Sequence, residues 1–317
     1  MALYLVTGGA GFIGSHIAAR LLKLGHHVRV LDNLSTGRKS NLDAIREEGP
    51  KGKFEWLEGD LRSLPTCQQA CEGVEYVLHE AALASVERSI RNPVESTEVN
   101  VGGLVNLLVA ARERGVRRVV LASSSSVYGD TPTLPKHEDM VPHPLSPYAA
   151  SKLAGEHFAS VYQKSLGLST VCLRYFNVFG PRQDPKSEYA AVIPRFVTAL
   201  LRKERPIVFG DGGQTRDFTF IDNVVQANLD ACTRPEAGGQ SINIAAGEQN
   251  SLLQLLEQLG SILGVKADPE FRPPRAGDVR DSFADVSRAT RLLGYAPAVN
   301  FRDGLTRTVE YYRSGGA

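Results

Sequence analysis

The run LYLVTGGAGFIGSHIAARLL, residues 3–22, constrains this chain more than any other stretch. A short apolar segment, the length of a strand, gives way to Gly8, Gly9, Gly11 and Gly14 and then to apolar residues at helical spacing. Gly8, Gly11 and Gly14 recur every third residue, and Gly9, Gly11 and Gly14 satisfy G-x-G-x-x-G. Such glycines permit a tight turn, close approach of backbone to a pyrophosphate, and close packing of the following helix. The segment VRVLDN then ends on Asp32, 18 residues past Gly14. A carboxylate there accepts the adenosine ribose hydroxyls and repels a 2′-phosphate, so the pattern predicts NAD rather than NADP. A glycine turn that serves packing alone is the competing reading, and the strand–turn–helix–acid context weighs against it.

The same alternation continues. LYLVTG, HVRVLDN, FEWLEGD, YVLHEAA, RVVLASS and STVCLRYFN read as strands, with amphipathic segments such as GSHIAARLLKLG and NVGGLVNLLVAARERG between them. That order predicts an α/β fold, a Rossmann-type doubly wound parallel sheet. After Gly180 the rhythm breaks into Pro-, Gly- and Arg-rich stretches. The expected organisation is a dinucleotide domain over 1–179, with a segment near 215–246 returning to it, and a smaller mixed substrate domain over 180–317. The crevice between them is the expected ligand site.

Composition narrows the partners. The 317 residues include 36 Lys plus Arg and 35 Asp plus Glu, so no global field recruits nucleic acid or a membrane surface. Cys67 and Cys71 lie four apart, with only Cys172 and Cys232 elsewhere, and no second cluster completes a zinc site. All four read as small buried hydrophobes in a reducing compartment, and no metal is expected. The N-terminal apolar run is too short for a signal peptide and no stretch approaches 18 apolar residues, so the expectation is a soluble, cytoplasmic protein.

Two further stretches carry chemistry. The run VVLASSSSVYG ends a strand on four hydroxyls, Ser123 to Ser126, with no acid. In SPYAASKLAGEHF, Ser146 and Pro147 mark a helix start, which sets Tyr148 and Lys152 one turn apart on one face. Tyrosine ionises near 10, and a neighbouring ammonium favours the phenolate, so the pair reads as a base and its activator. A surface Tyr–Lys pair is the plain alternative; its company with a dinucleotide turn favours the functional reading. Asp60 of GDLR and the small run AALAS, residues 81–85, also fall at strand ends where backbone can meet a ligand.

TGGAGFIG, the strand-end serines and YAASK together resemble the extended short-chain dehydrogenase/reductase family, and within it the UDP-hexose 4-epimerases. HEAALASVERS, LRYFNVFGPRQDP, YAAVIPRF, GDGGQTRDF and PRAGDVRDSFAD extend that resemblance over nearly the whole chain. It implies a catalytic set of Ser124, Tyr148 and Lys152. It implies a cofactor set of Gly8, Gly11, Phe12, Ile13, Gly14, Asp32, Asn33, Ser35, Thr36, Gly37, Asp60, Leu61, Ala81, Ala82, Asn100 and Tyr175, together with Tyr148 and Lys152. Substrate contacts implied in the same way are Ala84, Ser85, Ser124, Ser125, Ser126, Tyr148, Phe176, Asn177, Gln183, Ala191, Val192, Arg216, Arg275, Asp278 and Ser282. Related 4,6-dehydratases carry Asp-Glu after the residue matching Ser124, and UDP-glucuronate decarboxylases keep the Glu; here both places are serine. That difference implies oxidation at C4 followed by re-reduction, with NAD retained.

At the position matching Ser282 a bulky tyrosine confines relatives to plain hexoses, so serine implies that UDP-glucose/UDP-galactose and UDP-GlcNAc/UDP-GalNAc are both taken. Ala84 departs from two branches, which carry lysine or glycine there. The resemblance further implies a homodimer through helices at 98–113 and 149–166, whose apolar stripes serve equally well as core. A nucleotide-sugar dehydrogenase or reductase with net redox, a non-catalytic NAD sensor and a UDP-glucuronate 4-epimerase remain as alternatives.

Overall fold

In the computed structural model, residues 1–47, 51–185, 191–274 and 279–316 are described. The central sheet holds β1 (Leu3–Thr7), β2 (His27–Asp32), β3 (Phe54–Glu58), β4 (Tyr76–His79), β5 (Arg118–Ser124) and β6 (Ser169–Tyr175), all paired in parallel. A seventh strand, Ser241–Ile244, joins β6 in parallel from the far end of the chain. The order across the sheet is Ser241–Ile244, β6, β5, β4, β1, β2, β3. The strand sequence thus runs outward from β1 in one direction and then, through β4, in the other. Ligands bind where the order reverses, at the carboxyl ends of the strands.

Helices cover both faces: α1 (Phe12–Lys23), α2 (Lys39–Glu47), α3 (Leu64–Ala70), α4 (Val86–Arg91), α5 (Pro93–Thr97), α6 (Gly103–Glu113), α7 (Pro147–Ser165), α8 (Val192–Leu201) and α9 (Ile221–Thr233) are the ones that matter below. Alternation along β1 divides the core. Tyr4 and Val6 pack with Ile17, Leu21 and Val224, whereas Leu5 packs on the opposite face with Leu104, Leu107 and Leu108. The apolar stripe of α6 is therefore core of this chain. All four cysteines are buried and free, filling those same two clusters. Among the described residues no helix is long and apolar enough to cross a membrane, and no group of His, Cys, Asp and Glu could hold a metal ion.

The segment after Gly180 contributes α8, α9, the seventh strand and three further α-helices, Leu252–Leu263, Ser287–Leu293 and Phe301–Arg313, and among the described residues its other strands are two or three residues long.

Candidate active site

β1 ends at Thr7 and the chain turns at once. Gly8 has φ +69°, and a β-carbon there would stand 2.6 Å from the backbone nitrogen of Ala81. Only glycine serves, because the end of β4 runs directly against the turn. A β-carbon on Gly14 would likewise strike the Gly8 carbonyl, so α1 can leave the turn only because residue 14 has none. Helix α1 begins on Gly11 with no side-chain cap and no acid in its first turn. Its leading N–H groups, Phe12 and Ile13 included, are thus left without a side-chain acceptor, at the positive end of the helix dipole.

Asp32 closes β2 beside this turn. One carboxylate oxygen accepts from the Ala10 N–H at 3.0 Å and the other from the Leu34 N–H at 2.8 Å. Burial raises its pKa, and those two bonds pull the other way. A β-carbon on Gly37 would be 2.8 Å from the same carboxylate, so the loop after β2 must pass close over it. Gly8, Asp32, Asn33, Ser35, Thr36, Asp60, Leu61, Ala81 and Ala82 all line one cleft of about 50 Å³. Within it Asp60 is held by the Arg62 guanidinium at 2.7 Å, which keeps its pKa down at about 2, and also accepts from Asn33 at 2.9 Å. An uncapped helix start, glycines where backbone must approach, and a carboxylate at the second strand's end fit NAD. Asn100 is placed differently: it is buried, in a π-helical segment Glu98–Gly102, and its amide bonds Leu83 and Ser151. It fastens the loop after β4 to α7.

The chemical end lies where β5 stops. Helix α7 begins at Pro147, with the Ser146 hydroxyl accepting from the Ala149 N–H at 3.1 Å. Tyr148 and Lys152 follow one turn apart. The Lys152 Nζ stands 5.9 Å from the centre of the Tyr148 ring and donates to the Ala122 carbonyl at 2.8 Å. The Tyr148 backbone N–H is held in turn by Ser89 Oγ at 3.0 Å. Burial raises the phenol's pKa; Ser124 lowers it and Glu80 adds to the rise. Burial also pulls the Lys152 ammonium down to about 8. Ser124 pairs in register with Tyr175 and caps the short helix Ser125–Tyr128, its Oγ accepting from Ser126 Oγ at 2.9 Å. Ser125 and Ser126 thus lie on that turn, and the strand end carries hydroxyls only.

One acidic group does stand in the site, and the sequence reading passed over it. Glu80 follows β4 directly, and burial pushes its carboxyl up to about 7. It accepts from the Tyr175 hydroxyl at 2.9 Å, while Asn228 of α9 bonds that same hydroxyl at 2.8 Å. Tyr175 is therefore committed to these two partners. Phe176, the next residue, is wholly buried among Val127, Tyr128, Ala245 and Ala284. Behind β5 and β6, Glu156 and Arg174 form a buried ion pair at 2.7 Å, to which Ser123 and Ser241 add hydrogen bonds.

A cavity of about 270 Å³ opens just past β6, lined by Asn177, Ala191, Val192, Gln214 and Arg216 among others. Arg216 Nη1 donates to the carbonyls of Thr215 and Arg280 at 2.8 and 3.0 Å, and the Ser282 N–H donates to the Thr215 carbonyl at 3.2 Å. Arg216 and Ser282 are thus held on one framework. The buried carboxylate of Asp217 completes it by accepting from the N–H groups of Ala246, Gly247 and Ala284. Gln183 bonds the Val178 carbonyl at 3.2 Å. Ser85 spends its hydroxyl capping α4, with Ala84 exposed beside it. Arg275 and Asp278 lie outside the described residues.

A dinucleotide turn beside a Tyr–Lys pair defines a protein that oxidises or reduces a carbinol carbon with a nicotinamide cofactor. The model of the NAD-dependent epimerase/dehydratase family matches residues 4–245, and the chain belongs to that family. The UDP-glucose 4-epimerase of Mycolicibacterium smegmatis is 43% identical over 312 residues, covering 98% of each chain. The UDP-N-acetylglucosamine 4-epimerase of Methanobrevibacter ruminantium, solved with UDP-N-acetylmuramic acid, is 36% identical with TM-score 0.93, covering 99% of each chain. The UDP-glucuronic acid 4-epimerase of Bacillus cereus, solved with UDP-glucuronic acid and NAD, is 33% identical with TM-score 0.91, covering 98% of this chain and 99% of that one.

Proposed function

We propose that this NAD-dependent UDP-sugar 4-epimerase interconverts UDP-glucose with UDP-galactose and UDP-GlcNAc with UDP-GalNAc. The observation that carries the reading is the strand end at Ser124, which stands against the Tyr148 phenol beside Lys152 and is followed by Ser125 and Ser126 where an acid could stand. When bound, NAD would supply the hydride acceptor and donor, its nicotinamide ring positive when oxidised and neutral when reduced. Tyr148, as phenolate, takes the proton of the C4 hydroxyl while C4 loses hydride, leaving a 4-keto sugar. Ser124 donates to the oxygen on which charge changes, and Lys152 holds positive charge beside the phenolate. Ser125 and Ser126 are far too weakly acidic to protonate a leaving hydroxyl, and the acidic group that does stand in the site, Glu80, is engaged by the Tyr175 hydroxyl, so elimination has no positioned acid. Tyr148 returns its proton when hydride re-enters from the other face, and no net redox results.

Asn177, Val192 and Arg216 line the cavity beyond β6, which takes UDP in this reading, and the small Ser282, bonded to Thr215 beside Arg216, leaves room for a C2 acetamido group. UDP-glucuronate is the second candidate substrate, on the likeness to the Bacillus cereus enzyme. For the dimer, α7 leaves Phe158 and Val161 exposed, which supports an interface on that helix, in a cytosolic protein with free thiols. The test is incubation of the purified protein, without added NAD, with each of the four UDP-hexoses and UDP-glucuronate, resolving products. The reading expects C4 epimers from all four hexose nucleotides; stoichiometric NADH with no epimer would replace it by a dehydrogenase.

A further inference from the structure

We propose that Glu80 is the counter-charge of the catalytic ammonium: a positioning residue whose carboxylate sets the pH range over which Tyr148 and Lys152 work. The inference rests on the reading of Tyr148 and Lys152 given above.

Topology brings the groups together. β4 and β5 are parallel neighbours with His79 opposite Leu121, so Glu80 emerges beside Ala122, whose carbonyl receives the Lys152 ammonium. Adjacent strands stand roughly 5 Å apart, which sets the scale of this approach. On the other side, the Glu80 N–H bonds the Thr7 carbonyl at 3.1 Å, and its backbone abuts Gly8 of the cofactor turn. Glu80 thus sits between the dinucleotide turn and the catalytic pair. Its carboxylate is fixed by the Tyr175 hydroxyl, itself fixed by Asn228. Glu80 and Lys152 make no direct ion pair among the described contacts, so their coupling acts through space.

The charges around it form a short inventory. From β1 comes neutral Thr7, and from β4 His79, which burial keeps neutral with a pKa of about 3. From β6 come Tyr175 and Cys172, both pushed upward by burial and so uncharged, and from α9 the amide of Asn228. From α7 come Tyr148 and Lys152. Glu80 raises the pKa of each. Lys152 would otherwise be an uncompensated cation in a desolvated cleft, which is costly. With Glu80 ionised, ammonium, phenolate, cofactor ring and carboxylate sum to zero. They still sum to zero after the phenolate takes a proton and the ring becomes neutral.

Removing the anion must lower both pKa values, because either positive charge or neutrality is then less favoured over loss of a proton. The test is Glu80→Gln in the full-length holoenzyme, where glutamine keeps the shape and can still accept from Tyr175. The alkaline limb of kcat/KM should move down by about one pH unit, leaving roughly tenfold fewer protonated lysines at a given pH. The tyrosinate absorbance that Tyr148→Phe removes should titrate at lower pH in the same variant. Glu80→Asp keeps the charge and should keep the wild-type limb even if kcat falls. Glu80→Leu repeats the measurement by a different shape if glutamine does not fold. A fall in activity with both titrations unmoved would make Glu80 a mere packing partner of Tyr175 and overturn the inference. Loss of epimerisation in the wild type would instead defeat the functional reading itself.

Discussion

Lys152 donates its ammonium to the carbonyl oxygen of Ala122 at 2.8 Å, two residues before Ser124 on the same strand. The bond ties α7 to the end of β5 and fixes where the positive charge stands relative to the Tyr148 ring.

That placement predicts a pH dependence. Burial lowers the Lys152 pKa from 10.5 to about 8, so the ammonium is present below that pH and lost as pH rises through it. Activity should fall along an alkaline limb near 8. Lys152→Met should abolish this limb and lower kcat by about 10²-fold, the scale of a lost acid–base partner. A pH profile of initial rates on UDP-glucose checks both expectations.

The Ser282 N–H donates to the Thr215 carbonyl beside Arg216, on the framework that borders the cavity past β6. Ser282→Tyr should abolish turnover of UDP-GlcNAc and spare UDP-glucose. Equal loss of both in steady-state assays would remove residue 282 from the determination of specificity.

The Glu156–Arg174 pair is buried, each side chain less than a tenth exposed, and Ser123 and Ser241 lean on the same carboxylate. Glu156→Ala leaves a buried guanidinium without its partner, which costs about 3–5 kcal/mol. Urea unfolding of the two proteins should show that loss as an earlier midpoint, with the slope unchanged.

Much of this was legible in the sequence, and the rest was hidden for identifiable reasons. The turn at Gly8–Gly14, Asp32 at the end of β2 and the cap at Ser146 depend on local spacing, which a sequence displays. Glu80 does not: it reads as an interruption in YVLHEAA, and only the adjacency of β4, β5 and β6 gives it Tyr175 and Lys152 as neighbours. The resemblance put Tyr175 in the cofactor set and Phe176, its neighbour, among the substrate contacts. Consecutive residues of extended chain point to opposite sides, so Tyr175 reaches Glu80 while Phe176 fills the core. The stripe on 98–113 could have been interface or core, and in the fold it is core against α3 and β1.

The central claim is that one hydrogen leaves C4 and the same hydrogen comes back. It is tested most directly by giving the purified protein UDP-glucose carrying deuterium at C4, in ordinary water and without added NAD. Mass spectrometry of the UDP-galactose formed should show the deuterium still at C4. Product that has exchanged its label for solvent hydrogen would contradict the account.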